Sequence, residues 1–88
     1  MRYFRRFWNE TPGGNRHAWG TSWWYFETDA KGCVTRQIEL YESGLILRYD
    51  ETKIEDELGG LSESALDLDD FLGSEITNEE FDRAWGKK

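Results

Sequence analysis

The side chains that could perform catalysis are few, and their neighbours in the sequence do not activate them. His17 is the single histidine, in a loop between Arg16 and Trp19, with neither a nucleophile nor an orienting group at a useful spacing. A general base needs both. Cys33 is the single cysteine, at a turn, without a nearby histidine that would make its thiol nucleophilic. We therefore predict that the protein is not an enzyme.

Carboxylates are abundant, but their pattern is typical of solvated side chains. Asp69-Asp70 and Glu79-Glu80 are adjacent pairs in hydrophilic stretches, whereas acid–base catalysis by such a pair depends on burial of one member. The run Asp67–Asp70 resembles the start of a calcium loop, yet the glycine and the later glutamate at the required spacing are missing. A zinc site usually draws on several cysteine or histidine ligands, and the chain has one of each. The sequence predicts no metal and no cofactor.

The strongest signal in the sequence is the distribution of charge. Residues 1–38 carry six basic and three acidic side chains, a net charge of +3, and residues 39–88 carry five and 15, a net charge of −10. From Asp50 to Asp82 there are 13 acids, with Lys53 as the single base among them. An acidic surface repels nucleic acid and membranes and attracts basic proteins. The chain is therefore predicted to recognise a basic protein and not a membrane.

Size and cysteine content indicate the kind of domain and its compartment. The 88 residues suffice for one domain, 1–88, with a small core. Five tryptophans increase the apolar area that this core can bury. A single cysteine allows no disulfide within the chain, and no apolar run is long enough for a signal peptide or a membrane span. These features predict a cytoplasmic protein.

The first half of the chain has the pattern of β-strands. Aromatic and β-branched residues are concentrated in four segments bounded by turn residues: 2–8, 22–28, 34–41 and 45–49. The third segment is the clearest, because apolar and polar residues alternate along it with a period of two. Short connections join the last three segments, which predicts an antiparallel meander.

The second half of the chain has the pattern of helices. A helix is predicted over 78–85, because Thr77 can cap its first turn, Glu80 completes a capping box, and Ile76 and Phe81 can form a hydrophobic staple. These are signals of a helix start.

The end of that helix and an earlier helix are also predicted. Gly86 is placed as the C′ residue, and Lys87-Lys88 favour the negative end of the helix. A second helix is predicted over 65–72, where Ser64 and Asp67 have capping-box spacing before a group of apolar residues.

These elements predict an α+β fold, a four-stranded antiparallel meander with two short helices packed on one face. Segment 52–58 fits either a helical turn or a loop. Trp23 and Tyr25 face away from Trp24 and Phe26 in a strand, and one helical layer cannot cover both sets. Either some of these rings are exposed for an interaction, or they pack against two flanking segments, 9–21 and 50–63.

Nucleic-acid binding is a third-ranked hypothesis. Four arginines could lie on the sheet near aromatic rings: Arg2, Arg5, Arg6 and Arg36. Aromatic platforms with basic neighbours bind single strands by stacking. However, a strongly acidic chain repels phosphates, and basic residues in such a domain tend to pair internally with Asp and Glu across strands.

Protein binding is the preferred hypothesis. A compact acidic domain can fill a basic cleft, with carboxylates where phosphates would lie, and long-range attraction accelerates association. The alternative is that acidity serves solubility alone. The predicted contact residues combine acids with aromatic side chains: Asp50, Glu51, Glu55, Asp56, Glu57, Asp67, Asp69, Asp70, Trp19, Trp23 and Tyr25.

Two stretches of the chain carry a resemblance to known proteins. Within 22–49 there is an aromatic strand and then R-x-I-E-x-Y-x-x-G at 36–44, and residues 76–85 read I-T-x-E-E-F-x-x-x-W. These motifs resemble a family of small bacterial proteins of unknown function, some of which look like immunity proteins encoded beside toxins, including contact-dependent inhibition systems. The resemblance implies an immunity protein that neutralises a toxin, for example a nuclease domain, by forming a complex. The alternative is a small bacterial module with a housekeeping or regulatory role.

Overall fold

The protein is built on a four-stranded antiparallel sheet. A computed structural model describes residues 1–86. The strands are β1 (Arg2–Trp8), β2 (Ser22–Thr28), β3 (Val34–Tyr41) and β4 (Ile46–Asp50), and they lie in the sheet in that order. The α+β class and the four-stranded antiparallel meander predicted from the sequence are therefore confirmed.

The register of the strands defines two faces of the sheet. Phe26 lies opposite Phe4 on β1 and Gln37 on β3, so these three side chains share one face, which we call the loop face. Tyr25 lies opposite Ile38, and both belong to the other face, which we call the helix face. Both faces carry large apolar side chains, and each therefore needs a cover.

The helix face is covered by the one α-helix among residues 1–86, α1 (Asn78–Trp85). Phe81 on α1 is fully buried and packs with Ile38 of β3. The predicted N-cap is confirmed, because the Glu80 backbone N–H donates to Thr77 Oγ1 at 3.1 Å. A cap of this kind typically contributes about 1 kcal/mol.

The end of α1 differs in detail from the prediction. Gly86 is the C-cap residue, with a right-handed φ of −83°, and not a left-handed C′ residue. Its backbone N–H donates to the Asp82 carbonyl at 3.0 Å, so the helical hydrogen bonding continues to Gly86. The predicted role of Lys87-Lys88 lies outside the described residues.

The helix predicted over 65–72 is not formed. Residues 65–67 are irregular and residues 68–71 form a turn, which is followed by a short 3-10 turn at Leu72–Ser74. Asp67 does not complete a capping box, because its carboxylate accepts a hydrogen bond from the Asp69 backbone N–H at 3.1 Å. Local side-chain bonds of this kind compete with helix formation. The Leu66 backbone N–H donates to the Gly32 carbonyl at 2.9 Å, which draws the segment onto the sheet instead.

Segment 52–58 is neither a helical turn nor a plain loop. It contributes to a two-stranded ladder of β5 (Glu55–Asp56) and β6 (Gly59–Gly60). The Asp56 carboxylate stabilises the turn between these strands, because Oδ1 accepts hydrogen bonds from the Leu58 and Gly59 backbone N–H groups at 2.8 and 3.2 Å. We call residues 55–60 the acidic hairpin.

The loop face is covered by irregular chain and not by a second helix. One cluster on this face is centred on Phe4 and Phe26, and Phe71 packs edge-on against both rings. A second cluster includes Tyr41 and Tyr49. The covering side chains come from both flanking segments and from residues beyond them: Trp19, Leu61, Leu66, Leu68 and Phe71. The correction to the predicted architecture is that the sheet has one cover on each face.

The outer edge of β1 is partly covered by the chain that leads into α1. Phe4 forms an antiparallel bridge with Glu75, and the Ile76 backbone N–H donates to the Tyr3 carbonyl at 2.8 Å. Arg2 and Glu75 add a salt bridge at 3.0 Å. Among residues 1–86, no helix has the length and apolar character of a membrane span.

Candidate functional site

An open cleft of about 290 Å³ lies at one end of the loop face. The register brings its sheet residues together: Trp8 is opposite Ser22, Ser22 is opposite Tyr41, and Trp24 is opposite Glu39. The remaining walls come from the 3-10 turn at Gly14–Trp19 and from the acidic hairpin. We call this site the tryptophan cleft, and its principal lining residues are Trp8, Arg16, Trp19, Ser22, Trp24, Glu39, Tyr41 and Leu58.

Glu39 is the main charged group inside the cleft, with 4% of its surface exposed. One carboxylate oxygen accepts from the Tyr41 hydroxyl at 2.5 Å, and the other accepts from Gln37 Nε2 at 2.9 Å. Gln37 is itself fixed, because Nε2 also donates to the Gly60 carbonyl at 3.1 Å and Oε1 accepts from the Ser62 backbone N–H at 2.9 Å. A buried polar ladder therefore holds the carboxylate in one orientation.

Burial makes ionisation of Glu39 unfavourable. Loss of hydration raises the pKa of Glu39, and the charge of Asp56 raises it further, while the hydrogen bonds from Tyr41 and Gln37 and the charge of Arg16 act in the opposite direction. The pKa of Tyr41 is also raised, by burial and by its hydrogen bond to Glu39. Glu39 belongs to none of the ion pairs found within residues 1–86. A buried carboxylate with a shifted pKa, outside any of these ion pairs and lining a cleft, is a common property of functional sites.

Arg16 closes one side of the cleft. Its guanidinium lies over the Trp19 ring, 5.0 Å from the ring centroid, and it donates to the Leu58 and Glu57 carbonyls at 3.0 and 3.2 Å. Trp19 packs edge-on against Tyr41, with ring centroids 5.0 Å apart. Arg16 therefore joins the 3-10 turn to the acidic hairpin, and its hydrogen bonds go to backbone carbonyls.

The other tryptophans of the cleft differ in exposure. Trp24 is half-buried, and its indole N–H donates to Ser22 Oγ at 2.8 Å, which fixes the ring. Trp8 is 52% exposed at the end of β1. Together with Trp19 they give the cleft three indole rings at different depths.

The raised pKa of Glu39 predicts that the difference in folding stability between the wild type and Glu39→Gln depends on pH. A raised folded-state pKa favours folding while Glu39 is protonated, and this contribution is lost as the pH rises through the folded-state value. We expect the free energy of unfolding of Glu39→Gln to increase relative to that of the wild type as the pH rises above about 4, near the pKa of an unfolded glutamate. Urea unfolding at several pH values measures the difference.

The control for this experiment is Glu55→Gln, which makes the same substitution at an exposed position of the hairpin. Comparison with a variant is necessary because Glu27 and Glu75 have lowered pKa values and affect the wild-type profile in the opposite direction. If the difference in the free energy of unfolding between Glu39→Gln and the wild type did not change between about pH 4 and 8, the argument from the burial of Glu39 would be wrong.

Four of the predicted contact acids have structural partners. Asp50 accepts from the Thr52 and Lys53 backbone N–H groups at 2.8 Å each. Asp56 stabilises the hairpin turn and accepts from the Tyr49 hydroxyl at 2.9 Å. Asp70 pairs with an arginine, Arg6, at 3.1 Å. Asp67 accepts from a backbone amide, as described above.

The other four predicted acids are exposed: Glu51, Glu55, Glu57 and Asp69. None of their carboxylates takes part in a hydrogen bond or ion pair found within residues 1–86. Glu55 and Glu57 belong to the acidic hairpin, which also forms a wall of the cleft.

The three predicted aromatic contacts are not brought together. Trp19 lies in the tryptophan cleft. Trp23 is exposed on the helix face, where it contacts Phe7 at 5.0 Å between ring centroids and Arg5 lies over its ring at 4.7 Å. Tyr25 is half-buried beside α1. Only the first of them lies in the cleft that the acidic hairpin borders.

Sequence reasoning missed Glu39, Arg16, Trp8 and Trp24 as members of one site. The alternation along β3 placed Gln37, Glu39 and Tyr41 on one face but did not show that this face would be buried. The signal that was available is a glutamate between a glutamine and a tyrosine on the same face, a set that can satisfy its own hydrogen bonds.

The residues considered first for catalysis lie outside the cleft lining. His17 Nδ1 is 2.9 Å from Thr11 Oγ1 in an exposed part of the 3-10 turn. Cys33 is exposed at the turn after β2. Within residues 1–86 no group of His, Cys, Asp and Glu side chains is arranged to hold a metal ion.

No protein-family model matches the chain, and no significant match is found among curated proteins or solved structures. The function of the site is therefore argued from its own geometry and charge.

Proposed function

We propose that this protein is a non-enzymatic binding module that recognises a basic segment of another protein. The observation that carries the proposal is that the acidic hairpin, which bears the exposed carboxylates of Glu55 and Glu57, also contributes Leu58, Gly59 and Gly60 to one wall of the tryptophan cleft. The exposed carboxylates of the hairpin and the aromatic rings of the cleft therefore belong to adjoining parts of the surface.

The two parts of this surface have different physical effects. Exposed carboxylates attract a basic partner over distances of about 8–10 Å at ordinary ionic strength and increase the association rate. Aromatic rings that become buried in a complex slow its dissociation, and tryptophan is enriched among the residues that dominate binding energy. Trp8 is available for this role because about half of its surface is exposed.

An immunity protein against a toxin, such as a toxin nuclease domain with a basic cleft, would use this physics. That identification stays a prediction from the sequence, as does a housekeeping or regulatory module with the same fold. All of them share the property proposed here, recognition of positive charge on a protein.

The third hypothesis, binding of single-stranded nucleic acid, receives less support from the arginines. Arg2 pairs with Glu75, Arg6 pairs with Asp70, and Arg36 pairs with Glu27 and Asp82. Arg5 stacks on Trp23. Three of the four guanidinium groups are thus already neutralised by carboxylates.

The test is the association rate with a fluorescein-labelled 12-residue peptide of alternating lysine and glycine. We expect the double variant Glu55→Gln/Glu57→Gln to associate about 2–5-fold more slowly at low salt and to show a smaller salt dependence. These carboxylates make no described side-chain contacts, so the fold should be retained. Asp67, Asp69 and Asp70 are less suitable, because Asp70 pairs with Arg6 and Asp67 stabilises a turn.

The matched control is Glu79→Gln/Glu80→Gln on α1, which removes the same charge from the other side of the sheet. The proposal is supported if the hairpin variant slows association more than the control does. Equal rates for the two variants would show that net charge alone acts, and tighter binding of a 12-residue oligothymidine would favour the nucleic-acid hypothesis.

A further inference from the structure

Glu39 has unused hydrogen-bonding capacity inside the tryptophan cleft. A carboxylate offers about four acceptor positions on its two oxygens, and the Tyr41 hydroxyl and the Gln37 amide each occupy one of them. One position therefore remains on each oxygen. Adjacent carboxylate oxygens can accept the paired N–H groups of a guanidinium, which binds carboxylates in a bidentate manner.

The indole rings in the walls of the cleft can stack on a planar cation. Guanidinium groups stack on indole faces, where the ring quadrupole attracts positive charge. The chain itself shows this preference, because the Arg16 guanidinium lies over Trp19 at 5.0 Å. Arg16 donates to the carbonyls of the hairpin and not to Glu39, so the carboxylate keeps its open positions.

Within the described part of the chain, Arg16 is the one basic residue of the cleft lining, and its guanidinium is bound to the hairpin carbonyls and not to Glu39. None of the ion pairs found within residues 1–86 includes the Glu39 carboxylate. Glu10 is a further acid that lines the cleft, so the described lining holds two acids and one base. The exposed hairpin acids belong to the segment that borders the cleft. The cleft is therefore complementary in charge to a cation and in shape to one side chain, since its volume is about 290 Å³.

We propose that the tryptophan cleft holds an arginine side chain of the partner protein, with the guanidinium paired to Glu39 and stacked on the indole rings. This inference rests on the proposed function and deepens it, because it names the group that the cleft recognises. The hairpin acids attract the basic segment, and Glu39 with the indoles selects arginine within it.

The experiment uses NMR detection of the indole N–H signals of the five tryptophans. The probe is the peptide Gly-Gly-Arg-Gly-Gly, with a citrulline peptide as the neutral isostere and a lysine peptide as the point-charge analogue. We expect the arginine peptide to shift the signals of Trp8, Trp19 and Trp24 but not those of Trp23 and Trp85, which lie outside the cleft.

We expect the lysine peptide to bind several-fold more weakly, because an ammonium group cannot form the two parallel bonds. Citrulline should produce no saturable shift. Glu39→Gln should reduce the affinity for the arginine peptide by about 10-fold or more, the usual effect of losing a charge-assisted hydrogen-bonding partner. Trp8→Ala, at an exposed position, should weaken binding while the protein stays folded, and Trp23→Ala is its matched control.

Three results would overturn the inference: equal shifts with citrulline, equal affinity for lysine and arginine, or unchanged affinity in both Glu39→Gln and Trp8→Ala. These outcomes are distinguishable from failure of the proposed function. If the alternating lysine peptide still associates through the acidic hairpin while the arginine peptide leaves the cleft indoles unshifted, the binding module stands and the arginine site does not.

Discussion

Replacing Phe81 by alanine is expected to lower the free energy of unfolding by about 3–5 kcal/mol. Phe81 is fully buried between α1 and the helix face. Its ring centroid lies 5.4 Å from that of Tyr3 and 6.2 Å from that of Trp85, and the Arg36 guanidinium lies over it at 4.7 Å. Small domains have total stabilities of about 5–15 kcal/mol, so the variant should be close to marginal.

The matched control for Phe81→Ala is Phe7→Ala, the same substitution at a position that is 45% exposed. Its effect should be much smaller, on the order of 1 kcal/mol, because less apolar surface returns to water. Equilibrium unfolding in urea measures both variants. If the two substitutions had equal effects, α1 would not be docked on the sheet as described.

Replacing Gly32 by alanine is expected to destabilise the protein by about 2–6 kcal/mol, from two additive causes. Gly32 has a φ of +90°, where a Cβ atom introduces backbone strain of about 1–3 kcal/mol. The added Cβ would also lie 2.5 Å from the Leu66 carbonyl oxygen, and relief of such overpacking typically requires a further 1–3 kcal/mol, approximately. The Leu66 segment must therefore move away from the sheet.

The two causes can be separated with Gly44→Ala. Gly44 has a similar φ of +98°, but no atom lies within 4 Å of a Cβ built there. The destabilisation of Gly44→Ala should therefore come from backbone strain alone. Urea unfolding gives the stabilities, and hydrogen exchange of the Leu66 amide, which donates to the Gly32 carbonyl, reports on the docking of the segment. Equal destabilisation by the two variants would mean that this segment is not held against the turn.

Local sequence signals were sufficient for the elements that depend on neighbouring residues. The strands were predicted correctly because the alternation of apolar and polar residues is visible within each segment. The start of α1 was predicted correctly because the Thr77 cap and Phe81 lie within a few residues of it. The predicted helix over 65–72 was wrong because its amides find other acceptors. Leu66 bonds to Gly32, which is more than 30 residues away in the sequence, and no local pattern contains that contact.

The candidate site was harder to predict for a related reason. The acidic character of the hairpin is visible in the composition, and Trp19 was among the predicted contacts. The cleft itself depends on the register that places Trp24 opposite Glu39, and on irregular chain that covers the loop face. The burial of Glu39 follows from this tertiary arrangement, whereas an isolated glutamate on a strand is expected to face solvent.

The bridge between Phe4 and Glu75 has a consequence for self-association. A strand such as β1, rich in aromatic residues and at the edge of a sheet, offers unpaired backbone groups on which a second molecule could add a strand. The chain around Glu75 pairs with Phe4 and so occupies part of this edge. The opposite edge strand, β4, is short and ends in a charged residue, Asp50. We therefore expect both edges to disfavour the addition of a strand from a second molecule, and with it amyloid-like aggregation of this aromatic-rich sheet.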